Sequence, residues 1–480
     1  MFSIRKKAIS GTKWTGLSNA VITALQLLQF AVLARLLAPE DFGLIAIIMV
    51  VIGFAQAFGD MGISNAIIYR QDATREELSS LYWLSVTTGL LIAVFLVLSS
   101  RMVSNFYADN RLNWLIIIAA VSFLATSFGQ QFQVLLQKEL MFTTLSKAEM
   151  AASSAGVAVS IVTAFAGQGV FSLSWGVFAN SVLKSVILAA VCWKRWRPLL
   201  RFRLNDIRKY VSFGLFQMGE RLLNYFGGQL DKLFIGYLLG MESLGYYSIS
   251  YQLMMRPLQV VNPVITRVAL PVFAKMQSDD DGLRKGYLEL LSALSIVLMP
   301  VYMGLIVVAD PLLTVFLGEG WGSAVEVFKI LSVLGFFYFI GNPIGSLLIA
   351  KGRADLGFYL NVLMIILYAA AIWLGSYWGI NGIAWGLVFA TAGVLFPTGF
   401  AVRWMLVKMR PLEFLKSFSP FLSFSILMAV CLLPLQRIIN WPGKAGELVI
   451  LSLTGFIIYA AAVLVWQRPF VKRLGLMIRS

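Results

Sequence analysis

Residues 35–47 read Arg-Leu-Leu-Ala-Pro-Glu-Asp-Phe-Gly-Leu-Ile-Ala-Ile, and residues 237–249 read Tyr-Leu-Leu-Gly-Met-Glu-Ser-Leu-Gly-Tyr-Tyr-Ser-Ile, the same pattern displaced by 202 positions. Leu36, Leu37, Glu40, Gly43 and Ile47 return as Leu238, Leu239, Glu242, Gly245 and Ile249. Further along, Gly169 and Trp175-Gly176 return as Gly379 and Trp385-Gly386 at an offset of 210. A duplication of this period points to two structurally equivalent halves.

The surroundings of both copies are apolar. Hydrophobic residues make up 59% of the 480-residue chain, against roughly 45–50% in an average soluble protein. They gather into fourteen stretches, at 15–37, 42–69, 79–99, 112–135, 148–167, 170–193, 211–239, 244–272, 287–309, 325–349, 356–377, 380–402, 418–436 and 446–467. Each suits a helix crossing the bilayer, which needs about 20 apolar residues. The first follows a basic tail (Arg5, Lys6, Lys7, Lys13) and no small-residue cleavage site follows it, so it reads as a retained span. The fold class expected is an all-α polytopic membrane protein of about fourteen spans.

Lys and Arg favour the cytoplasmic side of a membrane. With the N-terminus inside, 29 of the 39 basic residues fall in inner segments and five in outer ones, Arg35, Arg101, Arg111, Arg437 and Lys444. This places both termini in the cytoplasm and agrees with an even number of spans. Six spans separate the repeat copies, so both halves enter from the same side and the repeats are parallel. The expected organisation is a six-helix half at 1–193, a basic cytoplasmic linker at 194–210, a second six-helix half at 211–410, and two further helices with a cytoplasmic tail at 411–480. The linker, running from Lys194-Arg195-Trp196-Arg197 to Lys209, reads as a topology signal attracted to anionic headgroups. Although the net charge is +16, this distribution argues for lipid partners and against nucleic acid.

Several chemistries are excluded. The chain has no histidine, which removes Ser-His-Asp and Cys-His catalysis and His-ligated metals. Its two cysteines, Cys192 and Cys431, are too few for a thiolate metal cluster and read as packing residues. No metal or organic cofactor is expected.

The run Asp231-Lys232-Leu-Phe-Ile-Gly236-Tyr-Leu-Leu-Gly240, then Leu244-Gly245-Tyr-Tyr-Ser248 and Pro257, together with Arg35-Leu-Leu and Phe42-Gly43, resembles the polysaccharide-transport branch of the multidrug/oligosaccharidyl-lipid/polysaccharide flippase superfamily. Within it the chain looks most like the Wzx-type exporters of colanic acid and related repeat units. The resemblance covers the whole chain and implies six spans, six spans and two more. It also implies transfer of an undecaprenyl-pyrophosphate-linked oligosaccharide across the bacterial inner membrane, with a polysaccharide polymerase and export machinery downstream.

Ionisable groups within spans are costly and face protein or a watery cavity. In the seventh span Gln217, Glu220, Asn224, Gly227/Gly228 and Asp231 recur every three or four residues, with Arg221 and Lys232 beside them. The eighth carries Gln252, Arg256, Gln259, Asn262 and Thr266 on one face, with Pro257 and Pro263 permitting kinks. Gln130, Gln133 and Gln137 share a face of the fourth, suited to sugar hydroxyls or to bonds between helices. The offset of 202 pairs Gln29 with Asp231, Asn19 with Arg221 and Asp60 with Asn262. Guanidinium matches phosphate oxygens with paired donors. Arg256, about 12 residues and so roughly 18 Å from its outer end, is the foremost candidate for a pyrophosphate, followed by Arg221, Lys184 and Lys232. Asp60, Glu220 and Asp231 are the carboxylates available for proton or sodium coupling. Structural roles stand beside these, including ion pairs for Arg221 and for Lys232 with Asp231, and a packing bond at the glycine-flanked Asp60. A drug or metabolite antiporter would favour an acidic, aromatic cavity over these cations. A glycan polymerase or ligase would need a larger outer loop than the 13–15 residues or so available.

Overall fold

A computed structural model describes residues 2–59, 64, 67, 73–203, 225–264, 269–438 and 443–467. All the regular structure among them is helical, and eleven helical segments are long and apolar enough to cross a membrane. One of these, 355–407, takes in both the eleventh and twelfth expected spans. The protein is an all-helical polytopic membrane protein. The chain divides into two compact units, Met1–Gly245 and Tyr246–Ser480.

The first unit holds α1 (Phe2–Leu36), α2 (Pro39–Gly59), α3 (Arg75–Phe106), α4 (Arg111–Lys138), α5 (Phe142–Phe165), α6 (Phe171–Cys192) and the start of α7 (Leu230–Val264). The basic tail is not a separate arm, because α1 runs through it. Pro39 opens α2 where its missing N–H costs nothing, and the Asp41 carboxylate accepts the Ala38 N–H at 3.2 Å. At the start of α3, Thr74 Oγ1 accepts the Glu77 N–H at 3.2 Å while Glu77 accepts the Thr74 N–H at 2.9 Å, a reciprocal cap that satisfies two otherwise orphaned donors. α5 packs on α6 and α1, and α4 on α3 and α6. Tyr82, Phe132, Leu136, Leu145, Leu188 and Cys192 form a buried cluster among α3–α6.

Part of the expected linker is strapped onto this unit. Leu199 accepts the Trp83 indole N–H at 2.8 Å, and the backbone N–H groups of Leu199 and Arg203 donate to Ser79 and Ser80 at 3.0 and 3.2 Å. Arg195 pairs with Glu139 at 3.1 Å and Arg201 with Glu76 at 3.5 Å. Over 194–203 several of the basic groups and the backbone are therefore engaged with the ends of α3 and α4. The remainder, 204–210, lies outside the described residues.

Both copies of the opening repeat meet here. A methyl on Gly43 would stand 2.7 Å from the carbonyl carbon of Met241 and closer to its oxygen, and a methyl on Gly245 would stand 2.6 Å from that of Pro39. Met241 is Pro39 displaced by 202 and Gly245 is Gly43 so displaced, so the crossing is reciprocal. The Phe106 and Tyr237 rings stack at 4.6 Å beside it, and the Tyr107 hydroxyl donates to Leu233 at 3.3 Å. The break in α7 falls at Gly240, with φ 82°. The helix runs through Pro257, where the sequence suggested a kink.

In the second unit α7 continues to Val264. It is followed by α8 (Leu270–Lys275), α9 (Asp280–Val307), α10 (Ala309–Leu317), α11 (Gly322–Gly341), α12 (Ile344–Ala350), α13 (Ala354–Gly375), α14 (Gly379–Ala390), α15 (Phe396–Val407), α16 (Pro411–Ile438) and α17 (Lys444–Trp466). α9 packs on α16 and α11, α13 on α14, and α16 on α17. Met428, Leu432, Leu451, Tyr459 and Val463 close the α16–α17 seam against Val307 and Val308. A π-turn at Thr391–Leu395 joins α14 to α15. Its freed groups are partly met by Thr391, whose hydroxyl donates to Leu387 at 2.7 Å and bonds the Tyr368 hydroxyl at 2.8 Å. Cys192 is buried as expected of a packing residue, but Cys431 is exposed on α16.

Candidate functional site

In the first unit, α5 and α6 approach closely at two glycines. A side chain on Gly176 would collide with Ser160, and one on Gly156 would stand 2.8 Å from the Gly176 carbonyl oxygen. Two turns from this crossing, Lys184 Nζ meets Glu149 Oε1 at 3.2 Å. Glu149 lies seven residues from the Phe142 end of α5 and Lys184 eight from the Cys192 end of α6, roughly 10 and 12 Å at 1.5 Å per residue. The two charges thus lie at matched distances from these helix ends. Lys184, a candidate substrate-binding cation from the sequence, has a carboxylate partner in Glu149 that the sequence does not reveal. Gln29 of α1 donates to Ser160 of α5 at 2.8 Å, so this glutamine ties the two helices together.

Gln130 reaches Ser64 at 3.5 Å. Gln133 and Gln137 are half-buried, and their amides make no hydrogen bond among the described residues. Gln131, on the other side of α4, is buried and donates to the Leu78 carbonyl at 2.6 Å. The face chosen from the sequence is therefore the more available one. In α7 the Asp231 carboxylate accepts the Lys232 N–H at 2.8 Å, and Lys232 Nζ donates to Gln229 Oε1 at 2.6 Å.

In the second unit Gln252, Arg256, Gln259 and Asn262 line one side of α7, at steps of four, three and three residues. Gln252, Gln259 and Asn262 are exposed and Arg256 is half-buried, while Met254 and Leu258 turn into the packed side. Arg256 makes no hydrogen bond or ion pair among the described residues. A guanidinium whose five donors meet no partner among the described residues, on a polar helix face, is suited to an anion with several oxygens. Asp60, Glu220, Arg221 and Asn224 lie outside the described residues.

Two charge clusters were read differently in the sequence. Arg403, counted there with the cytoplasmic charges, is 1% exposed. It donates to the Tyr287 hydroxyl at 2.7 Å and to the Ile340 and Gly341 carbonyls at 3.3 Å, and lies over the Tyr287 and Phe414 rings. Those carbonyls end α11, where helix dipoles favour a cation. The arginine is a structural bolt, and only its position beside the last residue of an apolar stretch hinted at this. Arg111, counted as an outer charge, gathers Glu40, Asp41 at 3.5 Å and Asp109 at 2.7 Å. Burial opposes ionisation of Asp109, but hydrogen bonds from the Arg111 side chain and backbone and the guanidinium charge outweigh it and hold this loop carboxyl below its ordinary range.

The family of polysaccharide biosynthesis proteins matches residues 32–326. The chain belongs to this family. It is 37% identical over 411 residues to the teichuronic acid biosynthesis protein TuaB of Bacillus subtilis (strain 168), covering 85% of this chain and 83% of the other. It is 35% identical over 374 residues to the lipopolysaccharide biosynthesis protein WzxC of Escherichia coli (strain K12), covering 78% and 76%. The solved structure of the lipid II flippase MurJ in an inward closed conformation matches with a TM-score of 0.77 at 14% identity, over 97% of this chain and 100% of that one; this likeness concerns the fold. The family membership and the polytopic helical fold agree with the Wzx-type resemblance read from the sequence.

Proposed function

We propose that the protein moves a lipid-linked oligosaccharide, carried on undecaprenyl pyrophosphate, from the inner to the outer leaflet of the bacterial inner membrane by alternating access. The glycan is a repeat unit of colanic acid or a related exopolysaccharide. The observation that carries this reading is Arg256, a guanidinium without a partner among the described residues, on one face with Gln252, Gln259 and Asn262. A charged headgroup cannot cross hydrocarbon unaided, and fixed donors in a polar lining substitute for its hydration. Lys184, and by the same chemistry Arg221 and Lys232, supply further positive charge. Gln130, Gln133, Gln137 and Asn224 supply the hydrogen-bonding capacity that sugar hydroxyls require. Cations of this kind favour an anionic substrate over the cationic drugs that an antiporter would handle.

Proton or sodium coupling is assigned in this reading to Asp60, Glu220 or Asp231, and both termini are cytoplasmic. The product passes to a polymerase and its export machinery. The test is the leaflet location of lipid-linked repeat units in cells lacking the protein: accumulation in the inner leaflet is expected, restored to the outer leaflet by the unsubstituted gene. An unchanged outer-leaflet pool refutes the proposal.

A further inference from the structure

Lys184 lies on the side of α6 opposite its exposed apolar face. Trp175, Phe178, Val182 and Val186 line an apolar groove on one face of this helix, with Trp175 and Val186 exposed, and a residue two positions from Val182 stands nearly opposite at 100° per residue. Asn180 shares the Lys184 face, and its amide makes no hydrogen bond among the described residues. The ammonium has three donors and, among the described residues, spends one, on Glu149 Oε1 at 3.2 Å. That is longer than the roughly 2.7–2.9 Å of a strong charge-assisted bond. Glu149 accepts from no other side chain among the described residues. The two side chains remain 29% and 28% accessible, so a ligand can reach both.

These features describe a contact that holds a charge without locking it. We propose that Glu149 is a displaceable counter-ion: it occupies Lys184 between substrates, yields it to the anionic headgroup of an arriving lipid-linked glycan, and recovers it as the headgroup leaves. This inference rests on the pyrophosphate reading above and adds a positioning residue to it. An ammonium inside a span is costly without a counter-charge, so some anion must neutralise it at each stage. A phosphate offers more oxygens and more charge than one carboxylate and wins while it is present. The returning carboxylate then lowers the cost of letting it go, and transport requires a site favourable enough to fill and weak enough to empty. The close α5–α6 crossing at Gly156 and Gly176 keeps the two backbones in register, so Glu149 can leave and regain Lys184 by side-chain rotation alone.

The test measures undecaprenyl pyrophosphate binding to the full-length protein in nanodiscs, beside glycan export in cells. Glu149→Gln removes the competitor and is expected to bind the lipid about fivefold more tightly, the upper range for loss of a partly exposed ion pair, while export falls because release slows. Lys184→Gln should weaken binding, and the double variant should behave as Lys184→Gln, without the gain. Glu149→Asp, which keeps the charge and shortens the arm, should fall between the unsubstituted protein and Glu149→Gln; it stands in for the amide should that variant fail to fold. Unchanged or weaker binding by Glu149→Gln and Glu149→Asp, with Arg256→Ala still losing affinity, overturns the counter-ion role alone. No binding to the unsubstituted protein overturns the pyrophosphate reading and this inference with it.

Discussion

Gly43→Ala and Gly245→Ala test the reciprocal crossing in the first unit. The new methyl would stand 2.7 Å from the carbonyl carbon of Met241 in one case and 2.6 Å from that of Pro39 in the other, where carbon atoms settle at about 3.5–4.0 Å. The obstacle is backbone on both sides, so no side-chain rotation relieves it and the crossing must widen by about 1 Å. Overpacking typically costs 1–3 kcal/mol, and backbone-against-backbone contact belongs at the upper end. Each single variant should therefore lose about 3 kcal/mol, roughly a hundredfold in the folded-to-unfolded ratio. Because one separation accommodates both methyls, the double variant should lose about 3–4 kcal/mol and not about 6, a coupling expected of sites sharing a contact. SDS titration in mixed micelles, following intrinsic fluorescence, gives the three values. Single variants within about 0.5 kcal/mol of the unsubstituted protein, or a strictly additive double variant, would refute the reasoning.

Arg256→Ala should abolish glycan export while the protein still inserts and accumulates, and Arg256→Lys should restore it only in part, having charge without the planar fork; normal surface polysaccharide in Arg256→Ala cells removes the assignment. Arg403→Lys should lower the detergent melting temperature, because an ammonium cannot serve the Tyr287 hydroxyl and both α11 carbonyls with the same geometry, and the expected loss is about 1–3 kcal/mol per buried group left unpaired. Asp109 has its carboxyl held low in the folded protein, so its stabilising contribution is complete above the ordinary carboxylate value near 4 and fades as pH falls through the lower folded value. Melting temperatures between pH 5 and pH 2 should therefore drop less for Asp109→Asn than for the unsubstituted protein. Among Asp60→Asn, Glu220→Gln and Asp231→Asn, a coupling carboxylate is identified as one whose amide leaves the melting temperature intact but stops export; three fully active variants exclude proton or sodium coupling at these groups.

Much of the architecture was legible in one dimension. Apolar stretches of spanning length are a summed property of consecutive residues, and they specify helices in a bilayer without reference to packing. The polar face of α7 at Gln252, Arg256, Gln259 and Asn262 was legible for the same reason, since helical periodicity alone places these residues together. Partners were not legible. Glu149 and Lys184 are 35 positions apart and meet because Gly156 and Gly176 let α5 and α6 approach. Arg403 looked like one more cytoplasmic charge until Tyr287, 116 positions away, and the end of α11 enclosed it. The duplicated motif announced that Gly43 and Gly245 are equivalent, but not that each lies against the other's copy. Hydrophobicity and charge determine which segments become helices and which faces stay polar; which cation is free and which is spoken for depends on contacts between distant segments, and only the tertiary structure decides those.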